Sequence, residues 1–211
     1  IGTINDRNLL EYSLSYTGEA GTVLLDKANQ NRENHTFGIL PDLAEGSYIL
    51  HIEARDLGEN ITRRDVAFTV DRTPPQVALG TPKQGETYGS EKNVIPITGT
   101  IVEKNLEAYT LRYGTGDNPV QWIDLLNGNA IPSNVQLLLW KVGKNDGIPD
   151  GDYTLSLYAK DKAGSTGEVK AKITIDNTPP EVLITSPKDG DYVKAPIDIK
   201  GTASDSNLEK Y

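Results

Sequence analysis

The sequence predicts an all-β protein: tandem β-sandwiches joined by short Pro-Pro linkers. Three observations predict it. A unit of about a hundred residues, an ordinary domain size, recurs along the chain. Its best-defined segments alternate apolar and polar residues with a period of two. Turn-forming residues, 20 Gly and 12 Pro in 211 positions, are spread over the whole length. DRTPPQVALGTP (71–82) returns as DNTPPEVLITSP (176–187), and EGSYILHIEARD (45–56) returns as DGDYTLSLYAKD (150–161), both 105 positions on. A third element occurs three times: GTINDRNLLEY from Gly2, GTIVEKNLEAY from Gly99 and GTASDSNLEKY from Gly201. Its spacings of 97 and 102 differ because loops tolerate length changes that a packed core does not.

The complete copy yields seven strands, expected at 76–80, 94–101, 107–114, 120–125, 134–140, 152–160 and 167–175. The sixth carries the clearest pattern, with Tyr153, Leu155, Leu157 and Ala159 turned inward between Thr154, Ser156 and Tyr158. In the seventh, Val169, Ala171, Ile173 and Ile175 face in and lysines face out. The first copy repeats both strands, with Tyr48, Leu50, Ile52 and Ala54 inward in one and Val66, Phe68 and Val70 in the other. Trp140 ends the apolar fifth strand and is expected in or beside the core. Trp122 follows a turn-rich stretch and is expected to lie against the sandwich. No useful length of chain has the three-to-four spacing of an amphipathic helix.

Seven short strands separated by turns read as an immunoglobulin-like or fibronectin-III-like sandwich. The Gly-x-Tyr entry into the sixth strand then assigns Tyr48 and Tyr153 as corner tyrosines, each hydroxyl bonding back to backbone just upstream. The TPP motif follows the last strand of one copy and precedes the first of the next. Two prolines fix φ and remove two backbone donors, so the strand ends and the linker is short and stiff. The copies divide as 1–75, lacking its first strand and most of its second; 76–180, complete; and 181–211, the first two strands of a third.

The runs EARDLGENITRRDVAFTVDRTPP and YAKDKAGSTGEVKAKITIDNTPP, together with the GTxx(D/E)xNLxxY elements, resemble the tandem bacterial Ig-like repeats of large secreted and cell-surface proteins. The resemblance covers nearly the whole chain. It implies a structural array, a spacer, stalk or adhesin segment, located extracellularly or at the cell surface, whose partners are neighbouring copies of the same or an identical chain and, for an adhesin, a cell-surface or glycan ligand. Two alternatives stand beside it. In the first, the terminal half-copies complete one another between chains, giving a head-to-tail filament. In the second, a carbohydrate-binding module, Trp122 or several tyrosines share one exposed face.

Composition narrows the chemistry. The net charge is −9 and the basic residues are scattered, which argues against a nucleic-acid partner. No apolar run approaches the roughly 18 residues that span a bilayer, so no membrane insertion is expected. Without cysteine there is no disulfide framework and no thiolate metal site. An enzyme is not expected, since the two histidines, His35 in a polar loop and His51 on the outer face of its strand, have no suitable serine at a telling spacing. NHT (34–36) and NIT (60–62) match the glycosylation pattern by chance.

Carboxylates are the remaining candidates. The loops at the end where the chain enters the complete copy carry Glu103 and Asp161, and the entering linker carries Asp71. Oxygen-only sets of this kind suit Ca²⁺, and the family resemblance points the same way for inter-copy junctions. The equivalents are Asp6 and Asp56 in the first copy, and Asp176, Asn177 and Asp205 at the third. In the absence of metal, a basic partner such as Arg72 or Lys104 is expected beside close carboxylates.

Overall fold

The computed structural model describes residues 1–132, 135–208 and 210, and every regular element among them is a strand. The chain divides into two compact units, Ile1–Thr73 and Pro74–Tyr211.

The first unit contains β1 (Gly2–Ile4), β2 (Leu9–Gly18), β3 (Gly21–Ala28), β4 (Arg32–His35), β5 (Gly46–Asp56) and β6 (Ile61–Val70). Four of these form an antiparallel sheet in the order β3-β2-β5-β6, and β1 pairs separately with β4. Tyr12 and Leu14 of β2 are buried, and the Phe37 ring meets Tyr12 edge-on at 5.4 Å. The Tyr48 ring stacks on Phe68 and its hydroxyl donates to the Ala44 carbonyl at 3.0 Å, the corner expected from the sequence. Two expectations need correction. His35, placed in a loop, ends the short strand β4, with its ring 5.1 Å from Phe37. Val66, placed in the core, is 58% exposed, whereas its counterpart Ala171 is 4% exposed. The apolar residues face inward in both copies, but Thr154 and Ser156, expected on the outer face of a half-buried sixth strand, are also buried, and the described first unit has no strand equivalent to the one that covers Ala171 in the second.

The second unit contains β7 (Gln76–Thr81), β8 (Glu86–Tyr88), β9 (Val94–Val102), β10 (Leu106–Thr115), β11 (Ile123–Gly128), β12 (Gln136–Lys141), β13 (Gly151–Asp161), β14 (Thr166–Ile175), β15 (Glu181–Ser186) and β16 (Lys200–Ser204). A five-stranded sheet, β11-β10-β13-β14-β8, faces a three-stranded one, β12-β9-β7. Between them Ile95, Ile97, Leu111, Leu155, Leu157, Ile173 and Ile175 are almost wholly buried, Trp140 packs at 4.7 Å from Tyr113, and Leu79 and Val77 of β7 close the core. Tyr153 donates to the Pro149 carbonyl at 2.8 Å, repeating the corner of the first copy.

All seven strands expected for the complete copy are present, and β8 is added to them. Three residues are too few to show a period. The strand is held by parallel pairing with β14, from Ile173 opposite Glu86 to Ile175 opposite Tyr88, and by one buried ring, Tyr88. The fourth strand begins at Ile123 rather than at 120, because the chain before it crosses the outer face of the sheet, where the Gly116 carbonyl accepts a hydrogen bond from the Thr154 hydroxyl at 2.7 Å. Asn134, the expected start of the fifth strand, and Tyr211, the end of the third GTxx element, lie outside the described residues. Among the described residues β15 and β16 pair only with each other, and Val182, Leu183 and Ile184 are exposed.

Candidate functional site

Both linkers, 71–75 and 176–180, are without regular structure and are held by side chains of the copy they leave. In the second, Asp176 Oδ1 accepts the backbone N–H of Thr178 at 3.1 Å, a local turn that aspartate forms readily. Asp150, in the loop that leads into β13, then grips the linker with both oxygens. Its Oδ1 accepts the Asn177 N–H at 2.8 Å and its Oδ2 the Thr178 hydroxyl at 2.6 Å. Asn177 is 7% exposed and donates its amide to the Val142 carbonyl at 3.0 Å. The first linker repeats this arrangement. Asp71 Oδ1 accepts the Thr73 N–H at 3.3 Å, and Glu45 Oε1 accepts both the Arg72 N–H at 2.7 Å and the Thr73 hydroxyl at 2.8 Å.

Glu45 and Asp150 stand at equivalent positions, as do Thr73 and Thr178, so one clamp serves both linkers. These residues were missed as site residues. The signal was available, because the acid recurs with the EGSY and DGDY stretches that mark the corner tyrosines, but a lone acid before a turn glycine does not announce its partner.

Hydrogen bonds from Thr178 and Asn177 hold the Asp150 carboxyl below the usual carboxylate range. A carboxyl whose folded value is depressed contributes stability that is complete above its unfolded value, about 3.9 for aspartate, and lost as the pH falls through the lower folded value. The linker hold should therefore be intact at neutral pH and release only in acid. The amide NMR shift of Asn177 should titrate with a midpoint below that of an ordinary aspartate, and Asp150→Ala should abolish that titration.

Each of the seven carboxylates predicted as metal ligands accepts a backbone N–H from a residue two or four positions on. Asp6 Oδ1, Glu103 Oε1 and Asp205 Oδ1 each accept the N–H two residues on, from Asn8, Asn105 and Asn207, all at 2.7 Å. These are the Asn residues of the thrice-repeated element, so one turn recurs three times. Asp56 accepts the Asn60 backbone and side-chain N–H groups, both at 2.8 Å, which lowers its carboxyl. Asp161 is fully buried and accepts the Ser165 N–H at 2.8 Å, but its Oδ2 has no partner. Ser165 stands where the first copy has Asn60, whose side-chain amide donates to the corresponding oxygen of Asp56. Asp6 and Asp56 do border one cleft of about 280 Å³, together with Arg55 and Arg64. Asp150, Asp152 and Asp176 line another of about 430 Å³. Among the described residues, however, no three acidic or histidine side chains gather closely enough to share a cation. Arg72, expected beside junction carboxylates, instead pairs with Asp42.

Two other constellations bear on function. His51 stands between the Asp65 carboxylate (2.7 Å) and the Thr17 hydroxyl (3.0 Å), an acid–imidazole–hydroxyl series that sequence spacing did not reveal. It lies across β2, β5 and β6 on an open sheet face, with the Asp65 side chain 62% exposed. Acyl transfer also needs free backbone donors for an oxyanion, and here the central strands β2 and β5 are paired on both sides. We read the series as a cross-strand polar contact. Trp122 lies against the sheet as expected, with the Arg112 guanidinium 4.6 Å from its ring centroid and 5.4 Å from that of Tyr158. Arg112 pairs in turn with Glu168 at 3.0 Å. The two aromatic rings share a face, but a cation already stacks on them, which a sugar would have to displace.

Among solved structures, the fibronectin(III)-like modules of Clostridium thermocellum CbhA are similar at 13% identity, a TM-score of 0.44 and 82% coverage of each chain. A tetra-tandem repeat from the extending region of a large adhesion protein is similar at 18% identity and a TM-score of 0.40, covering 88% of this chain and 46% of that one. The sequence has no match among curated proteins. Residues 31–130 and 140–207 match the family profile of the bacterial Ig-like domain (group 3), spanning both repeated units with their shared strand pattern and corner tyrosines, and the chain therefore belongs to the bacterial Ig-like domain family.

Proposed function

We propose that this chain is a structural spacer, a run of Ig-like copies in the stalk or adhesin of a bacterial surface protein. The observation that carries the reading is the duplicated linker clamp: Glu45 and Asp150 hold the two linkers through the same backbone and threonine groups. A spacer transmits position along its length, and its linkers are where stiffness is decided. Prolines 74–75 and 179–180 restrict φ on one side of each clamp, and the acid fixes the residues on the other. Family membership supports an extracellular or cell-surface setting, with neighbouring copies as partners.

Small-angle scattering of the full chain tests this. An elongated monomer whose maximum dimension is independent of concentration is expected. A compact particle would overturn the reading. Filaments that grow with concentration would overturn it in favour of strand complementation, for which β15, with Val182, Leu183 and Ile184 exposed, would be the adhesive strand.

A further inference from the structure

We infer that Asn207, the asparagine of the third GTxx(D/E)xNL element, is a latch that docks the third copy onto the linker acid Asp176, by hydrogen bonds and without a cation. This rests on the spacer reading and names the groups that make a junction stiff. At the junction between the second and third copies, Asn207 donates its side-chain amide to Asp176 Oδ2. The amide is pre-aimed, because the Asn207 backbone N–H is held by Asp205 Oδ1 at 2.7 Å. Asp176 is fixed in turn by the Thr178 N–H on its other oxygen, and Thr178 by Asp150. A continuous series of hydrogen bonds thus runs from the loop before β13, through the linker, to the loop after β16.

The same series explains why the carboxylates here do not fit calcium. Ca²⁺ takes six to eight oxygens from side chains, carbonyls and water. Both oxygens of Asp176 and both of Asp150 already accept hydrogen bonds, and Asp205 is turned to its own backbone. A cation would have to strip donors from each. A neutral amide with two N–H groups meets the carboxylate without bringing a charge that needs further ligands. The aspartate at 205 therefore orients Asn207 rather than contributing to a metal shell, and this accounts for glutamate at the same place, Glu103, which makes the same bond to the Asn105 N–H at 2.7 Å.

The test uses the whole chain, ¹⁵N-labelled, comparing backbone relaxation in the β15–β16 hairpin with that in β13 and β14. In the wild type the hairpin should tumble with the second copy, and millimolar calcium or a chelator should change nothing. Asn207→Ala should release it, with its apparent correlation time falling about twofold as nanosecond motion appears. Asn207→Asp decides the nature of the contact. A latch predicts release as in Asn207→Ala, because two carboxylates then face each other. A cation site predicts that the added carboxylate keeps or tightens the junction when calcium is present, which would overturn the inference. Rigid tumbling of both variants without calcium would also overturn it while leaving the spacer reading intact. A wild-type hairpin that moves independently, in a chain that scatters as a compact particle, would remove both.

Discussion

Replacing Leu157 by alanine should destabilise the second copy by about 2–5 kcal/mol, the usual range for a buried leucine whose cavity cannot fully collapse. Leu157 is wholly buried in the centre of β13, opposite Leu111 on one side and Val169 on the other, and its Cδ2 lies close to Gly99 of the facing sheet. Both neighbouring strands are fixed by their own ladders, so little can move in to refill the space. A domain of this size has a total stability of about 5–15 kcal/mol, so the change is a large part of the whole. Trp122 and Trp140, the only tryptophans in the chain, lie in this copy, and indole fluorescence during urea unfolding reports on it alone. Val120→Ala is the control. That side chain is 97% exposed, and its loss should move the transition by less than about 0.5 kcal/mol. Equal shifts for the two variants would show that the core is not where the sandwich places it.

The second large effect is expected at Gly89, where β8 ends beside the departing linker. A Cβ there would stand 1.6 Å from the Asp176 carbonyl oxygen and 2.6 Å from its carbon. Both are backbone atoms, so no rotamer change relieves the clash. The Asp176 N–H also donates to the Tyr88 carbonyl at 2.8 Å, so moving the linker away breaks that bond and pulls Asn177 from Asp150. Gly89→Ala should destabilise the second copy by about 1–3 kcal/mol, as overpacking does. It should also accelerate amide hydrogen exchange at Asp176 and Asn177 more than at mid-strand residues of β13. Unchanged exchange at these two amides would mean that β8 does not hold the linker.

These predictions fall at positions of different legibility. Leu157 was placed in the core from alternation alone, because a strand in a two-layer sandwich presents every second residue to the opposite sheet. The two corner tyrosines were assigned from a Gly-x-Tyr entry repeated 105 positions apart, and both hydroxyls bond as expected. Gly89 gave no such signal. It matters only because β8 pairs in parallel with β14, a contact between segments more than eighty positions apart in sequence. The candidate site divides in the same way. The carboxylates recur at matching positions of the copies, but two of them, Asp56 and Asp161, end strands rather than lie in loops, and the partners of none were legible. The acids at Asp6, Glu103 and Asp205 turn to amides two residues away, Asp161 is buried with one oxygen unpartnered, and the residues that grip the linkers, Glu45 and Asp150, were known only as neighbours of the corner tyrosines.

Residue order alone was enough to set the repeated β-sandwich architecture and to place the inward side chains of β13 and β14 in the core. Those properties follow from period-two patterning, proline restriction and internal duplication, all of which act locally or recur in plain view. What the polar residues do was settled by the fold. A carboxylate has two oxygens and takes whichever donors the fold brings within about 3 Å. Those donors, Thr178 for Asp150, Thr73 for Glu45 and Asn207 for Asp176, come from distant segments whose approach depends on sheet pairing rather than on spacing along the chain.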